Sequence, residues 1–428
     1  MRTLEIRLSD TLVGRIVENR KGGRFAYEPD IVERYSGLPV LSLSLPAKKR
    51  PFGESKTENW FSGLLPEGTR RQDICRSLGL SEYDWIGLLA NIGWECAGAV
   101  RIREEGDSTE HDASYEPISK EQLAQQLSDI SARMPQRSTG AFRMSLDGFQ
   151  EKICVTMPCL PKDGGDIDLL GLIDSGQVLQ PIGDAASTHI LKPENSRSYP
   201  GSAESEAWAM TVAGNAASCA RVGLLRLDEA PDTLVVERYD RAGTSWPDCV
   251  TRIHQEDACQ AMGLSPSSKY AATAAPKGDD PTYRAVAKLL QTYASDPQAQ
   301  MAELLRQITV NMAIGNWDAH AKNISFLYAS PMVPTVAPMY DVVPIAEVEQ
   351  RTKLLSLRIA GSLEPEAITA EKLIEEASGW GMRSEVAADV VSRCLADLEG
   401  GLESAAALYP NAAARHEKHV RERISRLK

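Results

Sequence analysis

The hydrophobic period of this chain changes near residue 240, and that change limits the folds available to it. The first half contains short segments in which apolar and polar residues alternate, such as Thr3–Leu8 and residues 40–45, and these predict β-strands. In the second half apolar residues recur at three- and four-residue spacing, as in residues 283–294 and 301–312, which predicts helices. We therefore predict an α+β fold of two lobes, with a β-rich N-terminal region and a mostly α-helical C-lobe.

The junction between the two halves is less regular. Residues 166–178 and 188–191 predict short strands. Residues 202–223 predict a helix, because the segment begins with a serine and ends with a glycine. The apolar segment 234–237 then predicts a strand that breaks into charged residues at the boundary between the lobes.

The composition is that of a globular protein with more than one domain. The chain has 428 residues, of which 43% are hydrophobic and 25% are charged, which suits two large lobes or two to three domains. Its net charge of -12 argues against a protein that binds nucleic acid unaided, because phosphate contacts need clustered Lys and Arg. No apolar run approaches the roughly 18 residues of a transmembrane helix, and the start lacks the apolar stretch of a signal peptide. We expect a cytoplasmic protein with no membrane partner.

Neither the cysteines nor the histidines predict a metal site. The eight cysteines are scattered and include no C-x-x-C pair. His416 and His419 lie near the C-terminus without carboxylate or cysteine partners at a metal-ligand spacing, so a polar helix face is the simpler interpretation.

The segment that carries the most chemical information is residues 315–323, Gly-Asn-Trp-Asp-Ala-His-Ala-Lys-Asn. Asp318 and Asn323 stand in the spacing D-x-x-x-x-N, which is the spacing of the protein-kinase catalytic loop. Asp341 follows after an interval that suits a β-hairpin. Phosphoryl transfer from ATP needs a carboxylate that accepts the proton of the substrate hydroxyl, and hard oxygen ligands for Mg²⁺.

Two segments earlier in the chain fit the same chemistry, although each is a weak signal alone. Lys192 ends the predicted strand at 188–191, and a lysine that points inward from a strand can hold ATP phosphates. Residues 145–152 contain Gly148 in a turn that can lie over phosphates. The order of these elements, loop, lysine, Asp/Asn pair and second Asp, is the order found in kinases.

Together these segments resemble the HipA-type serine/threonine protein kinases, over nearly the whole chain. The similarity rests on residues 40–46, 61–68, 88–100, 145–152, 188–193, 236–241, 254–263, 315–325 and 338–342. The sequences HQEDACQ and GNWDAHAKN are more specific to that family than to kinases at large.

The resemblance implies a role for each candidate residue. It makes Asp318 the catalytic base and Asn323 and Asp341 the Mg²⁺ ligands. It also implies that ATP is bound by Lys192, Gly148, His320 and the backbone of Glu237 and Tyr239, and that Ser145 is an autophosphorylation site.

The resemblance also implies a bilobal protein-kinase-like fold in three parts. These are a β-rich subdomain at 1–110, the remainder of the N-lobe at 111–239, and the helical C-lobe at 240–428. The implied function is that of a toxin, which uses ATP and Mg²⁺ to phosphorylate a protein of the translation machinery, such as glutamyl-tRNA synthetase, and so arrests growth. The implied partner is a HipB-like helix-turn-helix antitoxin, through which the chain contacts DNA only indirectly.

Two other functions stay open at this point. One is a catalytically weak kinase-fold protein that binds a DNA-binding partner as a co-repressor. The other is a phosphotransferase whose acceptor is a small molecule. The set of Lys192, Asp318, Asn323 and Asp341 argues against the first, and the N-terminal β-rich region argues against the second.

Overall fold

The computed structural model describes residues 1–107, 113–131, 152–159, 168–194, 199–243, 250–272, 280–330, 332–348 and 353–428. The first hundred residues form an antiparallel sheet with the strand order β3–β2–β1–β4. Its strands are β1 Thr3–Leu8, β2 Thr11–Asn19, β3 Gly22–Tyr27 and β4 Val100–Glu104. The helices between β3 and β4 are α1 Pro29–Tyr35, α2 Glu54–Ser62, α3 Gly68–Leu78 and α4 Trp85–Ile92.

The second sheet carries the strand with Lys192, and its order is β6–β8–β10–β9. Its strands are β6 Ile153–Val155, β8 His189–Pro193, β9 Val222–Leu225 and β10 Thr233–Glu237. A separate pair joins β5 Ser114–Pro117 to β7 Leu179–Ile182. The helices of this region are α5 Lys120–Ser131, α6 Leu169–Asp174 and α7 Ser202–Ala213.

The remainder of the chain is mostly helical. Its helices are α8 Ala258–Met262, α9 Tyr283–Tyr293, α10 Pro297–Ile314, α11 Ala370–Ser378, α12 Ser384–Leu408 and α13 Pro410–Leu427. Short 3₁₀ helices lie at Pro266–Ser268, Ala321–Asn323, Ile345–Glu347 and Pro365–Ala367. A small pair joins β11 Arg241–Ala242 to β12 Thr251–Arg252, and a three-stranded sheet contains β13 His254–Asp257, β14 Ser325–Ser330 and β15 Val333–Val336.

In the described part of the chain, three large hydrophobic cores correspond to these regions. One lies within residues 4–102, a second within residues 118–235, and the third is formed mainly by residues 203–427. The predicted change from a β-rich first part to a helical second part is confirmed. In the described part of the chain, no helix is both long enough and apolar enough to cross a membrane.

The predicted strand at residues 40–45 is wrong, because that segment is a series of bends. Its leucines are buried, as the alternation suggested. Its backbone, however, bonds to side chains: the Leu43 N–H donates to Glu256 Oε1 at 2.9 Å, and the Ser44 N–H donates to Ser42 Oγ at 3.0 Å. The alternation correctly indicated which side chains are buried. The backbone N–H groups of Leu43 and Ser44, however, bond to side chains and not to a neighbouring strand.

Two predictions near the lobe junction also need correction. The predicted strand within residues 166–178 is wrong over Leu169–Asp174, which is helix α6, capped by Asp168 through a bond from the Gly171 N–H to Oδ1 at 2.8 Å. The helix predicted over 202–223 ends earlier, at Ala213. Residues Val222–Leu225 instead form strand β9, which pairs with β10.

Candidate active site

The Lys192 side chain, on strand β8, points into the space between the two lobes, which we call the cleft. Because successive side chains of a strand point to opposite faces, Leu191 is buried in the core beneath the sheet while Lys192 points to the other face. Lys192 Nζ lies 2.8 Å from Glu206 Oε1 and 2.9 Å from Asp341 Oδ1. The ammonium group of Lys192 therefore bridges two carboxylates, Glu206 on helix α7 and Asp341 in the C-lobe.

Glu206, on helix α7, is a site residue that the sequence reading missed. Its side chain is only 6% exposed. Burial raises the pKa of this carboxyl group, Lys192 opposes that shift, and Asp341 adds to it. The sequence signal was two glutamates, Glu204 and Glu206, inside an otherwise apolar helix, since buried charges of this kind are normally paired.

Asp341 follows the hairpin of β14 and β15, as its spacing predicted. Backbone bonds hold the approach to it: the Met339 N–H donates to Ser218 O at 2.8 Å, and the Ala220 N–H donates to Met339 O at 2.9 Å. Asp341 itself has a φ of 58°, a left-handed conformation that Asp and Asn tolerate better than most residues. The charge of Lys192 lowers its pKa to about 2. The carboxylate is therefore ionised at neutral pH, and its side chain is 43% exposed.

The segment with Asp318 and Asn323 begins where helix α10 ends. Gly315 closes that helix in the left-handed conformation, with a φ of 84°. Asn323 Nδ2 lies 3.2 Å from Asp318 O and 3.5 Å from Asp341 Oδ2. Asn316 Nδ2 lies 3.4 Å from Asp341 O. The structure therefore brings Lys192, Asp318, Asn323 and Asp341 into one connected site.

The Asp318 carboxylate is oriented through one of its oxygens. The Tyr270 hydroxyl donates to Oδ1 at 3.1 Å, and Ser356 Oγ approaches the same atom at 3.4 Å. Neither Tyr270 nor Ser356 was predicted as a site residue. Their hydrogen bonds hold the side chain of Asp318 in one orientation beside Asn323 and Asp341.

His320 lies next to this carboxylate and is 8% exposed. Its ring contacts the Tyr270 ring edge-on, with 5.2 Å between centroids. Burial, and then the charge of Lys269, lower its pKa to about 4. The ring is therefore neutral at pH 7, and among the described residues its Nδ1 has no hydrogen-bond partner.

Lys322 points away from the cleft and is buried. Its Nζ donates to Asp257 Oδ2 at 3.0 Å and to Gly63 O at 3.1 Å. Asp257 belongs to the HQEDACQ sequence, and Gly63 to the segment 61–68 of the N-terminal region. Close by, Lys269 Nζ lies 2.7 Å from Glu67 Oε2. Three of the sequence segments singled out for their resemblance thus meet behind the Asp318 loop.

Lys152 is a second cation of the site without an assigned role in the sequence reading. The register of β6 on β8 sets Ile153 opposite Leu191, so that Lys152 falls opposite Lys192. Its charge contributes to lowering the pKa of Asp341. Gly148 and Ser145, which precede it in the chain, lie outside the described residues.

The segment predicted to receive adenine runs from the end of β10. The Glu237 N–H already donates to Arg221 O at 2.9 Å. The Tyr239 ring lies 5.8 Å from that of Tyr340, so its side chain faces the C-lobe. Register pairing places Leu234 opposite Lys192 and Glu237 opposite His189, which puts this segment beside the strand that contains Lys192.

With this geometry described, similarity to known proteins identifies the family. The model for the HipA-like C-terminal domain matches residues 144–401, and that for the HipA N-terminal domain matches residues 4–103. The chain belongs to the HipA family. The resemblance inferred from the sequence segments is confirmed.

Two relatives are similar to this chain over most of its length. "Putative kinase Y4mE" of Sinorhizobium fredii is 31% identical over 395 residues, 89% of this chain and 84% of that protein. "Serine/threonine-protein kinase toxin HipA" of Shewanella oneidensis is 28% identical over 389 residues, again 89% of this chain and 84% of that protein.

A solved HipA structure has the same fold. The Shewanella oneidensis HipA, in a complex with HipB and its operator DNA, matches with a TM-score of 0.80 over 99% of this chain and 97% of that one, at 23% identity. The predicted α+β, two-lobed kinase-like fold is confirmed.

Proposed function

We propose that this HipA-family chain is an ATP- and Mg²⁺-dependent serine/threonine protein kinase that acts as a toxin. The observation that carries the proposal is the position of Lys192, whose ammonium group bridges Glu206 and Asp341 at 2.8 and 2.9 Å. A lysine from a strand that pairs with a helix glutamate, beside a metal-type aspartate, is the arrangement that positions ATP phosphates in protein kinases.

ATP binding follows from the cations and the neutral ring that face the cleft. Lys192 and Lys152 offer positive charge to the phosphates, and Gly148 is proposed to cover them. His320 offers a ring nitrogen without a partner among the described residues. The backbone of the Glu237–Tyr239 segment is proposed to pair with adenine; since the Glu237 N–H is already used, its carbonyl and the Tyr239 N–H are the groups that would do so.

The residues present fit a magnesium ion. Asp341 is ionised and 43% exposed, and the Asn323 amide lies against it. Carboxylate and amide oxygens are hard ligands of the kind that Mg²⁺ prefers. Bound there, Mg²⁺ would neutralise charge on the phosphates during transfer.

Asp318 is proposed to act as the base. Tyr270 and Ser356 occupy Oδ1, which directs the remaining oxygen of Asp318 towards an incoming serine or threonine hydroxyl. The Asp318 carboxylate accepts the proton of that hydroxyl. The hydroxyl oxygen bonds to the γ-phosphorus, and the bond between the γ-phosphorus and the bridging oxygen breaks, so that ADP leaves.

The family relatives support the proposed partner. One relative is named a kinase toxin, and the HipA structure from Shewanella oneidensis contains HipB and operator DNA. We propose a HipB-like helix-turn-helix antitoxin as the partner of this chain, with DNA contacted only through it, because a net charge of -12 offers little electrostatic affinity for phosphate. The proposed target is a translation protein such as glutamyl-tRNA synthetase.

The test compares Asp318→Asn and Asp341→Asn with the wild type and with Asp73→Asn, an exposed aspartate on α3. Asparagine keeps the size of each side chain and tolerates the left-handed conformation of Asp341. Transfer of the ATP γ-phosphate to protein should fall by roughly a hundredfold or more in the two site variants, and Asp73→Asn should match the wild type.

Each alternative function gives a different result in that assay. Full activity in both site variants would refute the kinase proposal. A wild type that binds its partner but releases no ADP would point to a co-repressor without chemistry. ADP release that requires a small acceptor, without protein phosphorylation, would point to a small-molecule phosphotransferase.

A further inference from the structure

Helix α7 does more than supply Glu206. Three consecutive residues of this helix, Glu204, Ser205 and Glu206, are all buried. Because neighbours in a helix are about 100° apart, their side chains point in three directions. Glu206 points to Lys192, whereas Glu204 and Ser205 both bind α13, the last helix of the chain.

Glu204 holds the start of α13. Its Oε1 accepts the backbone N–H groups of Asn411 at 2.9 Å and Ala412 at 3.2 Å, and its Oε2 accepts the Asn411 side chain at 3.2 Å. The first N–H groups of a helix have no partner within the helix, and the helix dipole favours a carboxylate there. Glu204 therefore fixes α13 against α7.

His416 makes the second contact, one turn further along α13. Its Nε2 lies 3.0 Å from Ser205 Oγ, and its Nδ1 lies 3.1 Å from Glu347 Oε2. A carboxylate can only accept, so Nδ1 donates to Glu347, while Nε2 is hydrogen-bonded to the Ser205 hydroxyl. The sequence interpretation of His416 as part of a polar helix face is wrong, since this histidine is 3% exposed.

The hydrogen-bonded series Ser205–His416–Glu347 resembles the catalytic triad of a hydrolase, but the burial of Ser205 excludes a catalytic role. Ser205 is 0% exposed, and a nucleophile must reach its substrate. The hydrogen-bonded series therefore connects structural elements.

The same network reaches the loop with Asp318. Glu347 Oε1 lies 2.7 Å from Arg423 Nη1, also on α13. Arg423 in turn donates to Ala313 O at 3.0 Å and to Ile314 O at 2.8 Å. These are the last carbonyl groups of α10, directly before Gly315 and the catalytic segment. Glu347 itself lies six residues after Asp341.

We propose that α13 holds α7 and the segments with Asp318 and Asp341 in position, through contacts that we call the clamp, and that His416 is a positioning residue for Glu206. Through Ser205, His416 sets the position of α7. Through Glu347 and Arg423, His416 also connects α7 to the segments with Asp341 and Asp318. Among the described residues, His416 is hydrogen-bonded to Ser205 and Glu347 and not to Lys192, Asp318 or Asp341. The inference rests on the proposed kinase function, because it assigns Glu206 the task of orienting the ATP lysine.

The matched control is on the same helix. His419 is three residues from His416, and its side chain is 46% exposed and lies near Glu422. We would measure the Kd of Mg-ATP for His416→Ala, Glu206→Gln, the double variant and His419→Ala. We expect His416→Ala to weaken binding about fivefold, the scale of one lost hydrogen bond with its consequences, and His419→Ala to match the wild type.

The double variant separates positioning from general damage. If His416 acts through Glu206, the double variant should bind Mg-ATP no more weakly than the weaker single variant, because residues of one network do not act additively. His416→Gln, which can still bond to Ser205, should recover part of the loss. Fold losses that multiply, or unchanged binding in His416→Ala, would overturn the proposal.

Amide hydrogen exchange gives a readout that needs no nucleotide. Exchange in residues 202–213 should rise in His416→Ala and stay unchanged in His419→Ala, since removing the clamp frees α7 to open locally. Unchanged exchange in His416→Ala would also overturn the clamp. If the wild type fails to bind Mg-ATP while exchange responds as expected, the kinase proposal fails and the contact between the helices stands as a purely structural one.

Discussion

Lys192 Nζ lies 2.9 Å from Asp341 Oδ1, although 149 residues separate the two in the chain. The same nitrogen contacts Glu206, and the Lys192 and Glu206 side chains are 12% and 6% exposed. One cation therefore balances two carboxylates at the boundary between the lobes. Its removal would leave Glu206 buried without a partner.

Lys192→Met should lose both stability and ATP binding, and a second variant should separate the two effects. Breaking a buried ion pair from one side costs about 3–5 kcal/mol of unfolding free energy, and under the proposed function the ATP phosphates would lose their cation. The double variant Lys192→Met/Glu206→Gln should regain part of the stability but none of the ATP binding. Chemical denaturation and ATP titration measure the two effects, and ATP binding at wild-type affinity in either variant would contradict the assigned role.

The residues of the site that sequence could predict are those whose signal is local. Asp318 and Asn323 are separated by a fixed short spacing, and a hairpin of ordinary length leads to Asp341. Glu206 had no such signal, because its role depends on which way helix α7 faces in the folded chain. Tyr270 was missed for a similar reason: its bond to Asp318 spans 48 residues and arises only from tertiary packing.

The fold shows the same division. The strand predicted at Thr3–Leu8 is confirmed as β1, because alternation is a local signal. Residues 40–45 alternate equally well, yet their backbone bonds to Glu256, 213 residues away from Leu43. Alternation predicts burial, whereas a strand also needs a neighbour, and sequence alone does not supply the neighbour.

Asp257→Asn tests the ion pair between Asp257 and Lys322, next to the segment with Asp318. Asp257 Oδ2 pairs with Lys322, while its Oδ1 caps α8 by accepting the Gln260 N–H at 2.8 Å. Asparagine can keep the cap but removes the charge, while Glu67 Oε1 still lies 4.0 Å from Lys322 Nζ. We expect a loss of about 1.5–3 kcal/mol in unfolding free energy, the scale of one hydrogen bond to a charged group. Lys372→Met, which removes an exposed pair with Glu375, is the control and should change the denaturation midpoint little.

Glu95 gives a prediction about acid stability. Its buried carboxylate contacts Arg238, Arg241 and Arg252 at 3.0, 3.0 and 2.6 Å. Burial raises its pKa, but the three guanidinium groups outweigh burial and hold the pKa well below its ordinary value of 4.5. Arg238 and Arg241 likewise outweigh burial at Asp240 and lower its pKa to about 2.

A lowered pKa in the folded state means that the stabilisation is present above the ordinary value and is lost as the pH falls towards the folded value. Glu95→Gln should therefore lower the unfolding free energy by about 3–5 kcal/mol near pH 7. Its difference from the wild type should shrink as the pH falls below about 4.5. Urea denaturation at several pH values measures this, and a difference that is constant down to pH 2 would exclude the ionised carboxylate as its source.

Phosphorylation of Ser145 is the last prediction, and it follows from the family resemblance. Ser145 lies outside the described residues, seven positions before Lys152. A phosphate there would add close to two negative charges in a segment that already contains Asp147, and the added charge should disfavour binding of ATP phosphates nearby. We expect active protein produced without the proposed antitoxin to carry phosphate at Ser145, Asp318→Asn protein to carry none, and Ser145→Ala protein to keep its proposed kinase activity during incubation with Mg-ATP. Peptide mass spectrometry of the three preparations decides it: an unmodified Ser145 in active wild-type protein after prolonged incubation would remove self-inactivation and leave the kinase proposal standing.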